Sequence, residues 1–376
     1  MSKGKPVPFY HEASPFQLKV SLAHEFKVGS GVPVGADLSQ DGKKLVVRST
    51  KNLNETDIIK AKLSLSIIDL ETQRVNRIGY GVKAIGFVGE VLFVPNSNYL
   101  LSYGERPRDR GNGWYAFVDL YDLQNYRLQN RIEAHADDMF LKVSNNGKRF
   151  ASLQRKSNIL KVWSIPSCEL LQTLELDFNL SGDVSVRQMS ISEDGSTLLL
   201  YVVSSSYQES LGEIFLFDLE KPCLRSKISF TDKEAYHQTP VISEFGDYVF
   251  LYHTTSSYPL EIKKIHTYSA ETGKLIEQFK LPKHLVTIGA FSPDNRVFCS
   301  HEHDGFIHFY DALNGDKLSS IEPVLQGELP IIKRFLDDGK YTRPLGYSFS
   351  RAGDHLISYG YDNKVKLWKL NRIVAE

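Results

Sequence analysis

Three groups of residues in this 376-residue chain have the types and spacing that could support chemistry. The first is the run His301-Glu302-His303-Asp304 with His308 nearby. His301 and His303 alternate on one strand face, and imidazoles are common metal ligands. However, Asp304 opens a tight turn with Gly305, and no matching cysteine or histidine cluster occurs elsewhere. A metal site needs more ligands than this run supplies, so no metal is expected.

The second group is Arg106, Arg108 and Arg110 with Trp114 and Tyr115, in the stretch 104–115. Arginine and aromatic residues dominate interface hot spots, and guanidinium groups also contact phosphate and carboxylate. The plainer alternative is a solvated hairpin whose aromatics pack on their own sheet. The third group is Asp37, Lys142 and Arg187, ionisable residues on runs expected to be inner strands. In one central funnel they would be acid, base or electrostatic candidates. No helical zinc motif, phosphate-binding glycine loop, nucleophile elbow or kinase motif set occurs, and Gly86 and Gly89 precede a strand-like run rather than a helix. No cofactor is therefore expected, and the favoured expectation is a protein that is not an enzyme.

What must position these residues is a repeat. A turn marker recurs at LSQDG, VPNSN, VSNNG, ISEDG, ISEFG, FSPDN and FSRAG, ending at residues 42, 98, 147, 195, 246, 295 and 353. The final Gly or Asn suits a left-handed or turn conformation between two strands. After each marker come a strand-like run such as TLLLYVV, a second ending in an aromatic or aliphatic residue and a polar one, as in EIFLFDL, and in most units a third, more polar run such as LRSKISF. A period of this size made of short strands indicates a propeller. The expected fold is all-β: seven blades of four antiparallel strands. The last unit lacks its outer strand, and residues 16–23, FQLKVSLA, have the length and pattern to pair beside Val365 to Leu370 and close the ring. Residues 1–15 are then an N-terminal extension, and 16–376 a single propeller domain.

Composition agrees with a folded protein of no special field. The chain is 41% hydrophobic and 24% charged, and Lys plus Arg equals Asp plus Glu at 45 each, so nothing global draws it to nucleic acid or an anionic membrane. Cys168, Cys223 and Cys299 are odd in number and widely spaced, which fits a reducing compartment. No apolar run reaches the length of a signal peptide core or a membrane span. A soluble intracellular protein is expected, cytoplasmic, with the nucleus as the alternative.

The repeat resembles the WD-repeat family of seven-bladed propellers over roughly residues 16–370. Ser300, Asp304 and Tyr310-Asp311 fall where that family places its strand Ser, turn Asp and Trp-Asp pair. Ser358, Asp362 and Trp368-Lys369 do the same, and Ser152, Ser157 and Trp163-Ser164 form a weaker version. His24 and His135 stand where the family has a His that joins this hydrogen-bonded set. Elsewhere the pair is Ile68-Asp69, Tyr121-Asp122, Phe217-Asp218 or Tyr268-Ser269, and the units exceed the usual period of about 40 to 45 residues.

The resemblance implies a scaffold or adaptor binding other proteins as a subunit of a larger complex. Extra length at 51–62, 104–115, 204–212 and 254–262 is expected as loops on one face, and surface loops on a rigid scaffold commonly carry binding. The 325–344 segment, with Leu329, Ile331, Ile332, Phe335 and Leu336, is expected to dock over the propeller. Two other readings are a hydrolase or lyase with a small-molecule site in the funnel, and RNA or phospholipid headgroup binding through the arginines.

Overall fold

The structure is a computed structural model. It describes residues 16–27, 32–51, 62–83, 90–107, 114–136, 139–144, 146–154, 158–176, 178, 183–192, 196–205, 210–219, 221, 223–231, 239–242, 248–254, 262–280, 288–294, 296–301, 306–311, 316–321, 346–360 and 363–374. Every regular element among them is a strand. The first, β1, is Phe16–Lys27. Sheet I follows with β2 (Val32–Leu38), β3 (Lys44–Lys51), β4 (Lys62–Asp69) and β5 (Val75–Lys83). Sheet II has β6 (Val91–Phe93), β7 (Tyr99–Pro107), β8 (Trp114–Asp122) and β9 (Arg127–His135). Sheet III has β10 (Met139–Val143), β11 (Arg149–Gln154), β12 (Ile159–Ser164) and β13 (Leu170–Glu175). Sheet IV has β14 (Asp183–Ile191), β15 (Thr197–Ser205), β16 (Ser210–Asp218) and β17 (Cys223–Thr231). Sheet V has β18 (Thr239–Ile242), β19 (Tyr248–Thr254), β20 (Ile262–Ser269) and β21 (Leu275–Lys280). Sheet VI has β22 (Ile288–Phe291), β23 (Val297–His301), β24 (Ile307–Asp311) and β25 (Lys317–Ile321). Sheet VII contributes β26 (Gly346–Phe349), β27 (His355–Tyr359) and β28 (Lys364–Val374).

Each sheet is four-stranded and antiparallel, and the four strands of sheet VII run β26-β27-β28-β1. The expected closing strand is therefore present and longer than its sequence pattern suggested: β1 pairs with β28 from Phe16↔Val374 to Lys27↔Lys364. The fold is a seven-bladed β-propeller, with the first strands in contact between sheets I and II, III and IV, IV and V, VI and VII, and VII and I.

The core lies between the sheets. In β15, Leu198, Leu200 and Val202 pack with β11 and β12 of sheet III, whereas Leu199, Tyr201 and Val203 pack toward sheet V. Both faces of the strand are buried, which is why TLLLYVV reads as a continuous apolar run rather than an alternating one. Similar clusters join sheets I and II, II and III, VI and VII, and VII and I.

The marker turns have a common chemistry. The hydroxyls of Ser39, Ser144, Ser192, Ser292 and Ser350 accept the amide five residues on, from Lys44, Arg149, Thr197, Val297 and His355. Four of them also donate to an acidic or amide oxygen in the turn, on Asp41, Asn146, Asp294 and Asp354. Each turn thereby satisfies part of its own backbone. Gly42, Gly147 and Gly353 take positive φ as the sequence pattern required, but in the second marker the left-handed residue is Asn96, not the final Asn98.

Outer strands carry a bulge that the sequence pattern did not reveal. In sheets II, III, IV, V, VI and VII the register slips by one residue beside the aromatic of the third strand, at Tyr121, Trp163, Phe217, Tyr268, Tyr310 and Trp368. An extra residue on the outer strand increases local twist and makes a solvent-facing edge a poor template for further pairing.

The ends of the stretches expected as long loops belong to strands, and their middles, 52–61, 108–113, 206–209 and 255–261, lie outside the described residues. The β7–β8 ladder runs from Tyr99↔Asp122 to Pro107↔Trp114, and the β15–β16 ladder from Thr197↔Asp218 to Ser205↔Ser210. In the same way β3 continues to Lys51 before β4 resumes at Lys62, and β19 continues to Thr254 before β20 resumes at Ile262. The described inserted residues prolong their hairpins because antiparallel pairing satisfies their amides and carbonyls.

Gly42 and Gly147 make a controlled test of this geometry. Both have positive φ, but a Cβ on Gly42 meets nothing within 4 Å, whereas one on Gly147 would lie 2.1 Å from the carbonyl oxygen of Pro95 in the neighbouring turn. Gly42→Ala is expected to cost about 1 kcal/mol from backbone strain alone, and Gly147→Ala several-fold more. Equal losses in chemical denaturation would refute the close approach of turns II and III.

Candidate functional site

The family-like hydrogen-bonded set is clearest in sheet III, where the motif looked weakest. Trp163 Nε1 donates to Ser152 Oγ at 2.8 Å, and His135 Nε2 lies 2.9 Å from the same oxygen. Because the indole can only donate, the arrangement that satisfies all three groups has the serine hydroxyl donating to a neutral imidazole. Burial and then the charge of Lys161 push the His135 pKa down to about 4, in keeping with that neutral ring. Lys161 Nζ donates to the Ala134 carbonyl at 2.6 Å and lies over the Trp163 ring. In sheet VII, Trp368 Nε1 donates to Ser358 Oγ at 2.9 Å.

The other motif residues divide. Tyr310 stacks on Phe298, and Asp311 is buried and paired with Arg296 at 2.9 Å. Ser300 lies in β23 opposite His308, with its side chain outside the described set, and Asp304 and Asp362 fall outside the described residues. His24 stacks on Phe26; the position in sheet I that corresponds to Ser152 is Val47, which has no hydroxyl to offer. His308 is buried in β24 and stacks on Phe306, while Glu302 to Gly305 are outside the described residues. Among the described residues no cluster of His, Cys, Asp and Glu could hold a metal ion.

Of the arginine–aromatic group, Arg106 and Tyr115 face each other in the β7–β8 ladder, next to Pro107 and Trp114. Tyr115 is half-buried against Phe117. Arg108 and Arg110 lie outside the described residues, as does the whole of 325–344.

The funnel holds the strongest constellation. A cavity of about 430 Å³ runs along the inner strands of sheets I, II, III and VII, and its charged lining is Asp37, Glu90, Lys142 and Arg351. Tyr347, Phe349 and Tyr359 supply aromatic wall. Tyr359 lies directly across Gly346, where a Cβ would meet its hydroxyl at 2.3 Å, so glycine is what lets this ring lie flat.

Asp37 ties two sheets together: Oδ1 accepts the Leu38 amide at 2.9 Å and Oδ2 accepts the Phe93 amide of sheet II at 2.7 Å. Crowding by protein outweighs the pull of Arg351 and of those two amides, and the carboxyl is pushed up to about 6. Behind this wall the fully buried Arg48 guanidinium donates to the Tyr103 carbonyl at 2.8 Å, with its pKa lowered to about 10 by burial. It remains charged at neutral pH.

Sequence reasoning placed Asp37 and Lys142 here but missed Glu90 and Arg351, which stand just outside the inner strands at either end. Arg187 is not part of the lining. It does lie on an inner strand, β14, but as the bulged residue between Val186 and Gln188.

No family model and no curated protein matches the chain. No helix among the described residues is long and apolar enough to cross a membrane.

Two outcomes are expected. Ser152→Ala strands the Trp163 donor and the His135 ring in a buried site and should cost about 2–6 kcal/mol in chemical denaturation, at about 1–3 kcal/mol per orphaned group; a loss below about 0.5 kcal/mol would refute the network. For Asp37, the folded carboxyl holds its proton over roughly pH 4–6, where an unfolded aspartate has lost it. That stabilisation is present below pH 4 and lost as pH rises through 6. The unfolding temperature of the native chain minus that of Asp37→Asn should therefore fall between pH 4 and pH 7. His135 titrates alike in both proteins and cancels, so a flat or rising difference would refute the raised pKa.

Proposed function

We propose that the protein is a WD-repeat-like propeller acting as a non-catalytic scaffold or adaptor, a subunit of a larger intracellular complex that binds protein partners on the face where its long hairpins project. The supporting observation is ladder length. The β7–β8 and β15–β16 hairpins each contain nine residue pairs, against five in sheets III, VI and VII. Four extra pairs extend a hairpin by about 13 Å at the usual rise per residue. Such a paired extension is already ordered and loses little entropy on binding. Arg106, Trp114 and Tyr115 occupy the far end of the β7–β8 ladder, with Arg108 and Arg110 in the connection beyond. These are the residue types that carry interface energy.

Affinity capture from native cells tests the proposal. The Arg106/Arg108/Arg110 triple alanine variant and Trp114→Ala should each weaken capture of at least one protein partner by about 30-fold, the equivalent of about 2 kcal/mol for a hot spot. Retention of every partner by both variants would sink the assignment of this hairpin. Capture of nucleic acid or anionic vesicles that collapses with salt would replace a protein partner with a phosphate-bearing one.

A further inference from the structure

We infer that the central cavity is a binding site for a small zwitterion of the free α-amino acid type. Its chemistry is the reason. Glu90 and Lys142 belong to adjoining sheets, both line the cavity, and their charged ends stand 4.0 Å apart, too far for a hydrogen bond. Their side chains are 50% and 37% exposed, so both heads can be reached from the cavity. An α-amino acid carries its ammonium and carboxylate about 3 Å apart by ordinary covalent geometry. Laid antiparallel across this pair, it would place ammonium on Glu90 and carboxylate on Lys142. Both contacts are then charge-assisted hydrogen bonds, stronger than neutral ones.

The rest of the lining sharpens the ligand class. Asp37 already accepts two amides, which leaves Glu90 as the acid directed to a ligand cation. The lining carries two carboxylates, Asp37 and Glu90, and two cations, Lys142 and Arg351, a balance that suits a ligand bearing both charges better than one bearing a single charge. Tyr347, Phe349 and Tyr359 give an apolar side chain an aromatic surface. The volume, about 430 Å³, lies in the range of small-molecule pockets. This site is separate from the projecting hairpins and stands or falls independently of the scaffold proposal.

Calorimetric titration of the full chain with L-phenylalanine and L-leucine, alongside N-acetyl-L-phenylalanine and L-phenylalaninamide, tests it. Saturable one-to-one binding of a free amino acid is expected, weakened at least tenfold in both single-charge derivatives. Glu90→Gln should lose at least tenfold in affinity for the free amino acid while leaving any residual binding of the N-acetyl form unchanged, and Lys142→Gln should do the converse with the amide. Absence of saturable binding by either free amino acid, or equal binding of the single-charge derivatives to the native chain, would overturn the inference without recourse to any variant.

Discussion

The pairing of the first strand with the last is the constraint on which the rest of the molecule depends. Eleven residues of β1 are partnered on β28, with one slip at Ala23. Without them sheet VII would have three strands and an unprotected edge. Bringing together chain segments more than 300 residues apart costs closure entropy that grows only logarithmically with length, so a single well-made strand pair can offset it. The pair is also anchored at its end. The Phe16 ring stands between the guanidinium groups of Arg296 and Arg372, at 5.1 and 5.4 Å. Arg296 is held by Asp311, and Arg372 by Asp294, so the strand that completes sheet VII is fastened to sheet VI as well.

Around that closure the same position is filled with different chemistry in different sheets. Sheet III uses His135, Ser152 and Trp163, and sheet VII uses Ser358 and Trp368. Sheet II has Ser102 and Tyr121 there, and the Tyr121 hydroxyl donates at 3.2 Å to Asp119, which lies opposite Ser102 and is held by two Arg131 nitrogens at 2.6 and 2.9 Å. Sheet I places Val47 and Ile68 there and sheet IV Leu200 and Phe217, all apolar. What recurs is the geometry: a serine-capped turn, a ladder with both faces buried, and a bulged outer strand. Either a satisfied polar network or an apolar fill is stable in a buried slot, whereas a half-satisfied network is not. The blade therefore tolerates wide variation at the positions that define its family-like motif.

The two candidate surfaces are built on opposite principles. The hairpins of sheets I, II and IV extend by adding pairs to ladders already present. The funnel is made by convergence, with single residues from several sheets meeting around one space. The first creates contact area and the second a small concave site, and the same propeller supports both because its inner strands and its hairpin ends share no residues.

The blade count, the turn chemistry and the closing strand were legible in the sequence because they rest on short-range rules. A Ser accepting an amide five residues on and a Gly at positive φ leave a local signature that recurs wherever the turn recurs. Ladder length was not legible, since polar residues such as Lys51 and Arg106 are as compatible with a loop as with a strand until a partner strand supplies the hydrogen bonds. Nor was the cavity. Glu90 and Arg351 are 261 positions apart and stand outside any strand-like run. Only the curvature of the ring brings them beside Lys142 and Asp37, because convergence depends on how sheets pack and not on spacing along the chain.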